Sequence, residues 1–307
     1  MIYTVTLNPA LDKTVYVDDF ELDSVNRVRT HREDPGGKGI NVSKVIRALG
    51  GDSRALALLG GATGAHIQEM LAEAGVDCWA FEVVGETRTN TKIVDEVRHT
   101  NTDVNEPGPT VGRQTLDDML AVLSDTVEEG DVVVLSGSLP KGAPADTYRT
   151  WTLALKEAGA KVFVDADGEA FTLALEAAPS LVKPNEIELG AMLGRKLDTD
   201  EKVVEAAREL VAQGIERVVV SRGGDGAALV DDGAVVLARS PKVKVGSTVG
   251  CGDSVVAALA LANQRGLSPQ DTMILATATG SANAMMTGTQ PAPAQLVVEL
   301  QPQVELA

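Results

Sequence analysis

The segment Ser247-Thr248-Val249-Gly250-Cys251-Gly252-Asp253 leads into a small-residue helix predicted over Ser254 to Asn263. Its glycines let backbone amides approach a ligand closely, and a helix N-terminus adds partial positive charge, so the segment is suited to an anion. Asp253 puts a carboxylate beside that site, either as a base for an acidic proton or as a stabiliser of the helix's first turn. A second loop, Pro35-Gly36-Gly37-Lys38-Gly39-Ile40-Asn41, opens a helix running to Leu49. It combines free amides with the point charge of Lys38, and its bland reading is a flexible turn. The GxxxxGK[ST] spacing of a Walker A loop is absent.

Three further groups follow predicted strands. Ser136-Gly137-Ser138-Leu139-Pro140 comes after Val132 to Leu135, and Lys183-Pro184-Asn185 with Glu188 comes after Leu181 to Lys183. Ser221-Arg222-Gly223-Gly224-Asp225-Gly226 comes after Arg217 to Val220. Residues at the ends of parallel strands face the crevice where α/β folds bind ligands. Asn185 and Glu188 suit a water-rich Mg²⁺ site, or Asn185 simply caps the next helix. The glycines at 223–226 suit a nucleotide lying against the backbone, or a tight hairpin.

These loops need elements to hold them. From Asp131 onward, β-branched runs alternate with helices predicted at Ala145 to Ala158, Glu186 to Leu193 and Asp200 to Gln213, which indicates an α/β fold with a mostly parallel sheet. The first hundred residues break this rhythm. Extended stretches at Thr14 to Val17 and near Val28, with Trp79 to Val84 and Thr89 to Val94 read as an antiparallel pair, are assigned to a small β lid. Its discontinuous parts span about 12–34 and 84–106 of a single domain covering 1–307.

The formal charge of -17 disfavours nucleic acid as a partner, because binding polyanions requires lysine and arginine to neutralise phosphates. Two distant cysteines imply no disulfide framework or metal site, and no segment reads as a signal peptide or membrane span. A cytoplasmic protein is expected. His31, His66 and His99 share no metal-ligand spacing.

Together, the 36–41 and 248–253 segments resemble the two signatures of the ribokinase-like, or phosphofructokinase B, family of sugar kinases. Thr6-Leu7-Asn8-Pro9 with Asp12, Thr87-Arg88 and the strand-end groups extend the likeness over nearly the whole chain, toward the branch containing 1-phosphofructokinase and tagatose-6-phosphate kinase. The resemblance implies a three-layer αβα core with a β lid, often shared in a homodimer. It also implies transfer of the ATP γ-phosphate to a small phosphorylated sugar, with fructose 1-phosphate favoured over tagatose 6-phosphate and fructose 6-phosphate.

By the same likeness Asp253 is the base, and the amides of Gly250, Cys251 and Gly252 form the anion hole. Asp12, Gly37 and Asn41 hold sugar hydroxyls. Lys38, Arg88, Ser138 and, from the lid, Arg27 hold the phosphate already on the sugar. Lys183, Asn185, Ser221, Gly223 and Gly226 serve ATP, and Glu188 with Asn185 serves Mg²⁺, chiefly through water. Cys251 stands where the family has Ala, and Asp167 where relatives often have Ser. A nucleotide-dependent oxidoreductase is disfavoured because Leu7-Asn8-Pro9-Ala10 occupies the place of a Gly-x-Gly-x-x-Gly. A non-catalytic sugar-phosphate sensor is the alternative of another class, and the intact Asp253 weighs against it.

Overall fold

Val132-Val133-Val134-Leu135 is buried along its whole length, as a strand covered on both faces must be. Its side chains alternate between two cores: Val132 and Val134 pack on one side of the sheet, Val133 and Leu135 on the other. This computed structural model describes residues 1–307 and contains fourteen strands and ten helices, ten of the strands forming that sheet between two layers of helices.

The strands in the first half are β1 (Ile2–Thr6), β2 (Ala10–Val17), β3 (Val28–Gly36), β4 (Arg54–Leu59), β5 (Asp77–Glu82), β6 (Arg88–Asp95) and β7 (Thr100–Asn105). Those in the second half are β8 (Val132–Ser136), β9 (Lys161–Asp165), β10 (Leu181–Val182), β11 (Arg217–Ser221), β12 (Ala227–Asp231), β13 (Val235–Arg239) and β14 (Glu305–Leu306). The main sheet has the order β14-β13-β12-β11-β10-β9-β8-β1-β4-β5. From β11 to β5 every pairing is parallel, and β12 to β14 add an antiparallel edge.

The helices are α1 (Lys38–Ala48), α2 (Gly61–Glu73), α3 (Arg113–Thr126), α4 (Thr147–Glu157), α5 (Gly168–Leu175), α6 (Glu186–Leu193), α7 (Asp200–Val211), α8 (Cys251–Gln264), α9 (Pro269–Ala284) and α10 (Ala294–Leu300). Apolar residues of α1, α8, α9 and α10 join Ile2, Phe163 and Val219 in one core. Those of α3, α4, α5 and α7 join Val5, Val162 and Val164 in the other. The expected three-layer αβα architecture is therefore present, and no helix is long and apolar enough to cross a membrane.

The small second sheet, ordered β3-β2-β6-β7, stands apart from the main one. It is antiparallel at both edges and parallel between β2 and β6. Its composition corrects the sequence reading. The strand at 77–82 belongs to the edge of the main sheet, parallel to β4, and the partner of β6 is β7, within the polar segment 98–106. Thr100-Asn101-Thr102-Asp103-Val104-Asn105 is exposed throughout, so no apolar alternation announces it, and backbone pairing holds it in place. The strand β4 and helix α2 also went unread in the sequence.

One contact shows how tightly the first helix is fitted. A Cβ at Gly39 would lie 2.5 Å from both the Val5 carbonyl oxygen and Thr6 Oγ1. Neither the carbonyl nor the strand that carries it can move away. Gly39→Ala should therefore destabilise the protein by about 1–3 kcal/mol despite alanine's better helix propensity. Urea unfolding monitored by circular dichroism measures it; an unchanged midpoint would show that α1 can lift off β1 freely.

Candidate active site

The C-terminal ends of β1, β8, β9, β10 and β11 deliver Thr6, Ser136, Asp165, Lys183 and Ser221 to one cleft of 950 Å³. The lid covers it with Asp12, Arg88 and Asn90. Two helices aim their N-termini into the same space. α1 starts after Gly37, and α8 starts after Gly250, which adopts the left-handed conformation at φ 79°. Amides of a first helical turn have no partner within their helix, so Gly252 and Asp253 offer theirs to the cleft. The Cys251 amide points at the Thr248 carbonyl at 3.4 Å, so it contributes less to the hole than the sequence suggested.

Asp253 does not cap its helix, since no backbone N–H of α8 donates to it. Its Oδ2 instead accepts from Asn41 Nδ2 of α1 at 2.8 Å, joining the starts of both helices. Burial, and after it the charge of Asp165, pushes its pKa up to about 6, against the pull of Asn41, Lys38 and Lys183. A base in that range is unprotonated at neutral pH yet retains appreciable proton affinity.

Asp165 organises the cations. Its Oδ1 lies 3.5 Å from Lys38 Nζ and 3.3 Å from Lys183 Nζ, while its buried Oδ2 has no protein hydrogen-bond partner. Burial draws the Lys38 ammonium down, but Asp165, Asp253, Asp167 and Glu188 together hold it above its ordinary pKa. Lys183 Nζ lies beside Gly252, 3.5 Å from where a Cβ would stand. Two ammonium groups, both held by Asp165, thus stand at the anion hole of an acidic protein. Asp165 belongs to this site although the sequence reading gave it no role; its place at the end of a parallel strand was the available signal.

Further out, Arg88 reaches along the lid hinge, where its Nη2 donates to the Asn8 carbonyl at 3.0 Å and its Nε to the Pro9 carbonyl at 3.3 Å. Asn8 Nδ2 donates to Ser138 Oγ at 3.1 Å, and Asn90 Nδ2 to Asp12 Oδ1 at 3.1 Å. Burial raises the Asp12 pKa. The sequence assigns no site role to Asn8, quoted only within a motif, or to Asn90, and each carries a buried Oδ1 with no partner in the protein. Gly36 lets Asp12 in, because a Cβ there would stand 2.1 Å from Asp12 Oδ2.

At the other end, Ser221, Gly223 and Gly224 form an open floor, since a Cβ at either glycine would meet nothing within 4 Å. Gly226 has a different reason to be glycine. It is at φ 102°, and a Cβ would stand 1.9 Å from the Ala238 carbonyl oxygen, so the β12–β13 hairpin requires it. Asn185 and Glu188 form a capping box: Asn185 Oδ1 accepts from the amides of Ile187 and Glu188, and Glu188 Oε2 accepts from the Asn185 amide at 2.8 Å. The Asn185 oxygen is thereby engaged, and no group of three or more acidic, His or Cys side chains stands ready for a metal. The Cys251 thiol is half-buried, with its pKa raised by burial.

Arg27 alone among the expected residues lies away from the cleft. It is exposed before β3, near the end of the lid where Val17 pairs Val28, whereas the cleft lies at the end where Ala10 pairs Gly36. Eight residues of strand separate the two ends, roughly 25 Å. The sequence reading placed Arg27 in the lid correctly but could not tell which end. Arg32, further along β3, does reach the site's rim: its Nη1 and Nη2 donate to Thr287 Oγ1 and the Thr287 carbonyl, beside Gly288 and Thr289.

A buried carboxylate facing two helix N-termini and two lysines beneath the small sheet suits transfer of a phosphoryl group to a small molecule. The model for the pfkB family carbohydrate kinases matches residues 5–295, and the chain belongs to that family, in the branch of 1-phosphofructokinase and tagatose-6-phosphate kinase. It is 40% identical to the 1-phosphofructokinase of Bacillus subtilis, covering 100% of this chain and 99% of the relative. It is 35% identical to the tagatose-6-phosphate kinase of Staphylococcus epidermidis, over 93% of this chain and 92% of that protein. The crystal structure of phosphofructokinase-2 from Escherichia coli in complex with potassium superposes with a TM-score of 0.94 at 33% identity, covering 98% of both chains. The protein is a sugar-phosphate kinase.

Raising a carboxylate's pKa on folding penalises the folded state. The penalty is absent below pH about 4, grows to about pH 6 and is constant above. Asp253→Asn should remove it and stabilise the protein by on the order of 1–3 kcal/mol at pH 8, with much less gain at pH 4.5. Thermal melts across that range test this, and an equal effect at both pH values would place the Asp253 titration outside this window.

Proposed function

We propose that the protein is a 1-phosphofructokinase, transferring the ATP γ-phosphate to fructose 1-phosphate with Asp253 as general base. The observation that carries the base assignment is the Asn41–Asp253 hydrogen bond, which aims a buried carboxylate between the sugar side of the cleft and the α8 amides. The specificity rests on the likeness to 1-phosphofructokinases. Tagatose 6-phosphate and fructose 6-phosphate are the substrates to compare.

Asp12, Gly37 and Asn41 hold the sugar hydroxyls, and Lys38, Arg88 and Ser138 hold its phosphate. Ser221, Gly223 and Gly224 receive the nucleotide. An alcohol is a weak nucleophile, so Asp253 accepts its proton as the bond to phosphorus forms and the bond to the ADP oxygen breaks. The spreading charge on the equatorial oxygens falls on the α8 amides and on Lys38 and Lys183, all fixed in place before reaction.

The oxygens of Asp165 and Glu188 fit Mg²⁺ held largely through water, and the unpartnered Asp165 Oδ2 is the observation that supports it. Bound there, Mg²⁺ would neutralise phosphate charge. The lid sheet, closing over the sugar, limits hydrolysis of ATP by water. Its exposed Val28 and Val104 support a homodimer through the lid.

Asp253→Asn should lower kcat by about 10²-fold or more while sugar-phosphate binding persists; near-normal turnover would refute the base. Arg88→Ala should chiefly raise KM for the sugar phosphate, and an unchanged KM would remove Arg88 from that subsite. The three sugars compared by kcat/KM with MgATP decide specificity, and a preference for either alternative would displace fructose 1-phosphate.

A further inference from the structure

Lys44 lies one turn beyond Asn41 on α1 and is buried. An ammonium out of water is normally paired with a carboxylate, yet no carboxylate oxygen lies within 4.0 Å of Lys44. Its Nζ donates instead to the Pro35 carbonyl at 2.9 Å and to Asn41 Oδ1 at 3.4 Å. The second contact matters because an amide side chain can present either its oxygen or its nitrogen to a neighbour. With Lys44 occupying Oδ1, only Nδ2 is left to face Asp253, the arrangement observed at 2.8 Å. Had Asn41 turned over, its oxygen would face the Asp253 carboxylate and its NH2 group the Lys44 ammonium, two repulsive contacts in place of two hydrogen bonds.

We infer that Lys44 is a positioning residue for the catalytic base: its ammonium locks the Asn41 amide in the orientation that donates to Asp253, and its charge steadies the ionised carboxylate. The inference rests on Asp253 being the base. The charged groups around the pair come from several elements. Asp12 on β2, Asp34 and Arg32 on β3 and Asp253 on α8 act on Lys44. Asp165 at the end of β9, Lys38 on α1 and Lys183 after β10 act on Asp253. Burial, the largest influence on Lys44, holds its pKa below the ordinary lysine value. Lys38 and Lys183 are already neutralised in part by Asp165, which leaves Lys44 as the buried cation free of a direct carboxylate partner.

The test uses Lys44→Met, which fills the volume without charge or donor, and Lys44→Gln, which restores a donor without charge. Full pH profiles of kcat/KM are measured with saturating MgATP, and the Asp253 carboxyl is titrated by ¹³C NMR in the ligand-free protein. In Lys44→Met the acidic limb, and the NMR midpoint with it, should move up by roughly half to one pH unit, because a nearby positive charge is gone. Its kcat should fall roughly tenfold as Asn41 loses its fixed orientation. Lys44→Gln should recover part of kcat while keeping the shifted limb. A structural role alone would lower Tm and leave the midpoint in place.

An unmoved NMR midpoint in folded Lys44→Met overturns the inference, as does kcat in Lys44→Gln no better than in Lys44→Met. Should Lys44→Met fail to fold, the midpoint in Lys44→Gln decides alone. Normal turnover in Asp253→Asn would sink the base itself, and the ligand-free titration still reads the Lys44 coupling separately.

Discussion

The hydrogen bond from Asn41 to Asp253 ties together the parts of this enzyme that the chain keeps 212 residues apart. It requires α1 and α8 to begin side by side, and that in turn requires both helices to pack on one face of a sheet whose central strands run parallel. The sheet's two buried faces supply the rigidity. A carboxylate held this way cannot relax toward water, which is why it stays partly protonated at mild acidity. Its chemistry and its cost to stability therefore have the same origin.

The glycines of the first loop are explained by packing as much as by ligand binding. Gly36 admits Asp12, Gly37 sits at φ 112° with Thr6 close behind it, and Gly39 lies on the β1 carbonyls. The sequence reading attributed this loop to ligand binding, through its amides and the charge of Lys38, or to a flexible turn. A segment so constrained serves both ends at once, because the close approach that excludes side chains also fixes the amides facing the cleft.

Much of the core was legible in the sequence because buried parallel strands and capped helices leave strong local marks. The bounds of α6 were read correctly from Glu186 to Leu193, and the capping box of Asn185 and Glu188 shows why. Where stability comes from backbone pairing, the marks vanish. The exposed strand β7 carries no apolar alternation to announce it, and the edge strand β5 alternates much as a lid strand does, which is why the sequence assigns it to the lid. The site residues fixed by signature motifs did converge on one cleft, with Arg27 the exception. Asp165, Asn8, Asn90 and Lys44 have no role assigned from the sequence because their importance lies in what they touch, which local pattern does not display. The resemblance to the ribokinase-like family, carried by the loops at 36–41 and 248–253, holds over residues 5–295.

Arg32 gives the lid a second attachment besides its covalent hinge. Its guanidinium grips Thr287, and a Cβ on Gly288 would strike Nη2 at 1.8 Å. The gripped turn leads back into Asn283, whose Nδ2 donates to the Val249 carbonyl, immediately before the α8 start. Any swing of the small sheet must either release this latch or drag the turn along. One arginine thus joins the small sheet to the turn that abuts the start of α8.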